Sequence, residues 1–314
     1  LKELEKLRGD PDVILHLNYM RDYLCNSVLD RKMGFPTLLE FHGEISLPFS
    51  EFWKITWDLR WKPVLLHESA KLGERLRQAH LIVCKNAGKA DSLRRVFSGQ
   101  VRQITMGIDF DYWKKREKNA ARDRLQLPQD AFIFLSVSRL VNLKQIDRFI
   151  QILNRVKSVG QVVFVIIGDG ESSYVELLKR LATDAPRNVT HSFPGYVRGS
   201  TLLDYYSAAD MFVTVSLSEG ASVACMEAMA CELPILSSDV GGTAEVIRAN
   251  GKNIVVGRRD YSRWKAIVEG ILEGKAVVEH LSRDVAFREY HWPYVAERFL
   301  AAYAETLKLA RQRV

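Results

Sequence analysis

A two-domain α/β protein, each domain built on a parallel, doubly wound sheet, is the fold class this sequence predicts. Three observations carry the prediction: continuous apolar runs recur, amphipathic stretches separate them, and 314 residues suit two domains of ordinary size.

In chain order, the first half offers four strand candidates: DVILHLN (12–18), TLLEFHG (37–43), LIVCKN (81–86) and RQITMG (102–107). Four strands make a thin sheet for this class, and the chain opens on Leu1 rather than methionine. The expectation is a first domain, residues 1–125 including its linker, that lacks strands lying upstream. The charged stretch KKREKNAARDR (114–124) reads as that linker or as a connecting helix.

From 126 to 290 the alternation is regular. AFIFLSVS (131–138) is nearly all apolar, as a strand covered on both faces must be, and QIDRFIQILNRVKS (145–158) follows with helical period. Strand VVFVIIG (162–168) precedes helix YVELLKRLATD (174–184), and strand VTHSFPG (189–195) precedes helix STLLDYYSAA (200–209). Strand MFVTVSL (211–217), helix SVACMEAMA (222–230) and strand LPILSS (233–238) complete the series. Such units in succession describe a Rossmann-like domain.

Composition narrows the classes. Apolar residues are 47% and charged residues 26% of the chain, which suits a folded core and not a disordered segment. VVFVIIG is far shorter than the roughly 18 apolar residues of a membrane span. Cys25, Cys84, Cys225 and Cys231 show neither CxxC spacing nor partner histidines, so zinc and a disulfide framework are not indicated, and a cytoplasmic setting is expected. The net charge of +7 lies in residues 50–120, where fifteen Lys/Arg face eight Asp/Glu. That excess is either a solvated face or a surface for an acidic partner.

In an open parallel sheet, ligands bind where the strands end. After MFVTVSL comes Ser218-Glu219-Gly220 and then a helix, whose free amides near Ala221, Ser222 and Val223 form an anion site by geometry. Glu219 sits at the strand end and Glu227 lies farther along the helix. They are too far apart for a paired acid and base. They read as acceptors for two hydroxyl-bearing parts of one long ligand, or else as a dipole-favoured glutamate and a surface one. After AFIFLSVS, the loop SRLVNLK sets Arg139 and Lys144 five apart, either as a diphosphate clamp or as a solvent-exposed pair. IIGDGESS (166–173) fails the G-x-G-x-x-G pattern, and no GxxxxGK[ST] occurs, so dinucleotide and P-loop readings fall.

SRLVNLK, IIGDG, FPGY, the two glutamates as E-x7-E, EAMA and SDVGGTAEVI stand in an order that resembles the GT4 retaining glycosyltransferases of GT-B fold. The likeness runs from about residue 12 to the C-terminus. It implies donor-sugar contact by Glu219, ribose contact by Glu227 and diphosphate contact by Arg139 and Lys144. Gly220, Ala221 and Ser222 line the same pocket, and the backbone at Tyr196 and Val197 meets the base. TLLEFHG resembles the strand that ends in a catalytic-site histidine, here His42. HWPYVAERFLAAYAETL resembles a terminal helix, within 291–314, that crosses back to the first domain. No cofactor and no metal are implied, since the two cations hold the diphosphate.

Three positions depart from the family pattern: Met106 in place of an Asn, Ser222 in place of a second glycine, and Glu232 in place of a Gly before Pro234. If position 232 needs positive φ, a side chain there adds about 1 kcal/mol of strain. The implied activity is sugar transfer from a nucleotide-diphospho-sugar to a saccharide or lipid-linked hydroxyl with retention. A non-catalytic nucleotide-sugar-binding protein and a GT-B epimerase are the alternatives. In SEFWKITWDLRWK (50–62), Trp53, Trp57 and Trp61 recur at helical spacing beside Lys54, Arg60 and Lys62. That stripe faces either a core or a membrane surface at its inner face. Nucleic acid is not expected as a partner.

Overall fold

The computed structural model describes residues 2–7, 10, 13–19, 23–41, 71, 73–95, 97–157, 160–249, 254–275 and 283–313. His42, Trp53, Trp57 and Trp61 lie outside the described residues. The chain divides into two compact units, Leu1–Met106 with Pro293–Val314, and Gly107–Trp292.

The first unit carries α1 (Lys2–Lys6), β1 (Leu15–Tyr19), α2 (Tyr23–Asp30), β2 (Thr37–Phe41), β3 (Leu81–Cys84), α3 (Ala87–Arg94) and β4 (Gln100–Gln103). The strands pair in parallel in the order β1-β2-β3-β4. The second unit carries α4 (Lys118–Leu125), β5 (Phe132–Val137), α5 (Ile146–Leu153), β6 (Val162–Ile167), α6 (Ser172–Ala182), β7 (Val189–Gly195) and α7 (Gly199–Ala208). It continues with β8 (Met211–Thr214), α8 (Val223–Ala230), β9 (Ile235–Ser238), α9 (Gly241–Ala249), β10 (Ile254–Val256), α10 (Tyr261–Leu272) and α11 (Arg283–Tyr290). The long α12 (Trp292–Gln312) returns the chain to the first unit. Both units are therefore Rossmann-like layers of parallel sheet and helix, as the alternation predicts.

In the first unit, α12 lays Val295 and Ala302 on Leu38, Leu81, Val83 and Ile104, with Phe299 and Tyr303 at the margin. Beneath it runs a polar chain. Lys85, only 3% exposed, pairs with Glu40; His16 Nε2 lies 2.7 Å from Glu40 Oε2, and His16 Nδ1 lies 2.8 Å from Tyr303 Oη. A buried carboxylate is tolerable only with such partners. The chain therefore fixes α12 against the sheet in one rotation. Arg102 adds a bidentate pair to Glu305 at 3.0 and 2.6 Å.

The second unit's sheet runs β10-β9-β8-β5-β6-β7, all parallel. β10 is a sixth strand, too short at three residues to stand out as a run in the sequence. The core packs Phe149 against Phe134 at 5.4 Å, Phe164 at 5.0 Å and Trp264 at 6.2 Å between ring centroids. The stretch 114–124 is not a linker. Its helix α4 belongs to the second unit because its charges have partners there. Arg122, 2% exposed, donates to Ala208 O at 3.0 Å and to Asp210 Oδ2 at 2.8 Å. Arg124, aided by Arg116, holds the buried Asp204 carboxyl below its ordinary range. The first-unit boundary thus falls at 106, not 125.

Position 232 does adopt positive φ, at 54°. Glu232 N donates to Met229 O at 3.0 Å and Leu233 N to Ala228 O at 2.9 Å, which together close α8 in a Schellman turn. The backbone geometry that glycine favours is borne here by a side chain. Glu232→Gly is expected to raise stability by about 0.5–1 kcal/mol, after the glycine's greater unfolded-state entropy is subtracted. Urea denaturation measures the shift, and no gain would mean that the turn carries no strain.

Candidate functional site

The strand order fixes where a site can form. β5, β6 and β7 step outward in one direction, while β8, β9 and β10 step in the other. The loops leaving β5 and β8 therefore part to opposite sides and open a crevice between two neighbouring strand ends. Arg139 and Lys144 follow β5, and Glu219 to Ser222 follow β8.

The two loops are tied together. Leu217 N donates to Leu143 O at 2.9 Å, and Arg258 donates to Leu217 O at 3.1 Å. Lys144 ends a 3₁₀ turn (Asn142–Lys144), and its ammonium pairs with Glu219 Oε1. Ser216 Oγ, from a residue 1% exposed, donates to the same oxygen at 2.8 Å, and Ser238 Oγ donates to Ser216 O at 2.7 Å. Glu219 is thus held by one cation and one hydroxyl. Arg139 is exposed on the β5 loop, and its guanidinium has no hydrogen-bond partner among the described residues.

Ser222 caps α8: its hydroxyl accepts from Cys225 N, and the first helical bond runs from Met226 N to Ser222 O. The amides of Val223 and Ala224 precede that bond and are open donors. Lys144's partner Glu219 stands four residues before Val223, the first residue of α8. Gly241, at φ +69°, presses on the other side; a Cβ there would stand 2.3 Å from Glu219 O. Gly242 N donates to Gly220 O at 3.0 Å. Only glycine lets α9 brace the Glu219–Gly220 backbone this closely.

Glu227 lies on α8 and has a different partner from those of Glu219. Its Oε2 accepts from Tyr206 Oη of α7 at 2.7 Å. Burial pushes its carboxyl up to about 7, while the phenol's hydrogen bond pulls it down. Burial also pushes the Cys225 and Cys231 thiols up to about 12, so neither is a nucleophile at neutral pH. Tyr196 and Val197 leave β7 between Gly195 and Gly199, both at positive φ, and the Tyr196 ring is 74% exposed. Gly168 is structural: a Cβ would stand 1.9 Å from Ser138 O.

Among the described residues, no three His, Cys, Asp or Glu side chains group so as to hold a metal ion, and no helix is long and apolar enough to cross a membrane. The Asp109-Phe110-Asp111 spacing makes a turn, with Asp109 Oδ1 accepting from the amides of Asp111 and Tyr112 at 2.9 and 3.0 Å. Ser216, Tyr206 and Gly241 had no place in the sequence reading of the site. Ser216 stands just past β8, three residues before Glu219, and reads as the end of an apolar run, while Tyr206 is 21 residues from Glu227 and only the fold joins that pair.

Residues 117–286 match the family model described as glycosyl transferases group 1. The chain is 26% identical over 248 residues to D-inositol 3-phosphate glycosyltransferase 1 of Catenulispora acidiphila, covering 75% of this chain and 59% of that protein. It therefore spans less than two thirds of this relative's length. Sucrose-phosphate synthase from Thermosynechococcus elongatus superposes with TM-score 0.75 at 21% identity, over 97% of this chain and 75% of that one. Anabaena HepE in complex with UDP-glucose gives TM-score 0.76 at 17% identity, over 96% and 81%. These two likenesses establish the two-domain GT-B fold.

Glu227 links the site to stability. Between about pH 4.5 and pH 7 the unfolded chain ionises this carboxyl while the folded one keeps its proton, so stability falls as pH rises and levels above 7. Glu227→Gln is expected to match the parent near pH 4.5 and to exceed it at pH 8 by roughly 2–3 kcal/mol. Denaturation at both pH values reads this directly, and equal gaps at the two would deny the buried carboxyl.

Proposed function

The chain belongs to the group 1 glycosyl transferases, and from that premise we propose that it moves a sugar from a nucleotide-diphospho-sugar to a hydroxyl acceptor with retention. The observation that carries the proposal is the Lys144–Glu219 pair, which joins the β5 and β8 loops just ahead of the open N-terminus of α8. A crevice with a cation and bare amides suits a diphosphate. Neighbouring strands are about 4.8 Å apart, so the β7 loop lies about 10 Å from β5 along the carboxyl edge. A nucleoside diphosphate laid along that edge reaches from Lys144 to Tyr196, with its sugar at Glu219 and its ribose towards Glu227.

The costly event is departure of the diphosphate, with negative charge growing on its oxygens. Lys144, Arg139 and the amides of Val223 and Ala224 stabilise that charge without needing to reorganise. Lys144 pairs with Glu219. Donor binding transfers the ammonium to phosphate and leaves Glu219 with the Ser216 hydroxyl, ready to accept from the sugar. The leaving oxygen takes the acceptor's proton on the same face, which retains the anomeric configuration. His42 is the proposed partner on the acceptor side. No metal is needed in this scheme, and the acceptor is a saccharide or lipid-linked hydroxyl.

Sugar transfer or release from a panel of UDP- and GDP-sugars tests the proposal; a protein that binds every nucleotide sugar and turns over none refutes it. Lys144→Ala is expected to lower kcat about a hundredfold or more while the protein stays folded. Unchanged turnover would remove Lys144 from the mechanism.

A further inference from the structure

We propose that Tyr206 is a positioning residue for Glu227, its hydroxyl holding the carboxylate that receives the nucleotide's ribose. This inference rests on the donor reading above.

Tyr206 is entirely buried in α7. Its ring stacks on Phe212 at 5.9 Å and meets Trp113 edge-on at 5.4 Å, so it cannot swing without breaking two aromatic contacts. The hydroxyl is thereby delivered to a fixed point, 2.7 Å from Glu227 Oε2 and 3.1 Å from Ala224 O. Among the described residues no other side chain hydrogen-bonds the Glu227 carboxylate. Glu219, by comparison, has both Lys144 and Ser216. A phenol is the whole of Glu227's support.

One phenol proton faces two acceptors. With Glu227 ionised, the phenol donates to the carboxylate. With Glu227 protonated, the carboxyl donates to Tyr206 Oη and the phenol turns to Ala224 O. Tyr206 can therefore follow the carboxyl through both states without stranding a buried polar atom. The titratable groups whose ionisation is coupled to Glu227 are Tyr206 itself and the thiols Cys225 and Cys231, and no cation among the described residues shifts the carboxyl. Packing alone does not explain the hydroxyl, because phenylalanine would fill the same space without desolvating an oxygen.

A double-mutant cycle separates positioning from packing. The full chain, Tyr206→Phe, Glu227→Gln and the double variant are titrated calorimetrically at pH 8 with UDP and with GDP, and the tighter-binding nucleotide is used. Tyr206→Phe is expected to weaken binding about five- to tenfold, the worth of roughly one hydrogen bond. Glu227→Gln should cost about tenfold, and the double variant no more than Glu227→Gln alone. The 2′,3′-dideoxy analogue supplies a second reading that does not depend on the folded fraction. The parent should prefer the natural nucleotide, and Tyr206→Phe should lose most of that preference. Losses that add in the double variant, or parent-like affinity and preference in Tyr206→Phe, overturn the proposal and leave the donor reading standing. Parent-like affinity in Glu227→Gln overturns both.

Discussion

The reversal of strand order between β5 and β8 is the constraint on which the rest of the site depends. Everywhere else in that sheet a crossover helix passes over the end of the neighbouring strand. At this one junction the chain leaves β5 towards one side and β8 towards the other, so two strand ends are left uncovered next to each other. The backbone bond from Leu217 N to Leu143 O then sets the loops at sheet spacing although neither residue belongs to a strand. Lys144 and Glu219, 75 residues apart in sequence, meet for that reason alone.

Around the crevice, polar groups are held from beneath. Ser238 supports the Ser216 backbone, Ser216 supports Glu219, Gly241 and Gly242 brace the loop from β9's side, and Tyr206 supports Glu227. Each supporting hydroxyl is buried, and each supported carboxylate is only partly so. Burying a carboxylate with one neutral donor opposes its ionisation, and Glu227 shows the result in its upward shift. A chain selected for stability alone would place an amide or an apolar residue there. A desolvated carboxyl of this kind suits the proposed role of Glu227 in donor binding.

The two layers of the fold were legible because their physics is local. A strand buried on both faces must be apolar, which AFIFLSVS and VVFVIIG announce, and helices between them must be amphipathic. That the loops after β5 and β8 lie side by side, so that Lys144 meets Glu219, was foreshadowed by the rule that ligands bind at strand ends, while their roles there remain a proposal. Three things were hidden for physical reasons. β10 has three residues and no periodicity to display. The charge run at 114–124 looks like solvated surface, yet Arg122 is buried, because its partners Ala208 and Asp210 come from elements far along the chain. Tyr206 reads as one more aromatic in a helix, and nothing near it in sequence points to Glu227.

On the proposed reading, the pair between Lys144 and Glu219 prepares the crevice for a diphosphate. Pairing with Glu219 holds the ammonium in place, since Ser216 anchors the carboxylate from the other side. The arriving diphosphate carries more negative charge than a single carboxylate and meets the α8 amides as well, so exchange of partners favours the donor. The released carboxylate is then already oriented, by a hydroxyl that did not move, towards the space the sugar must enter. On that reading the same two residues divide the donor between them.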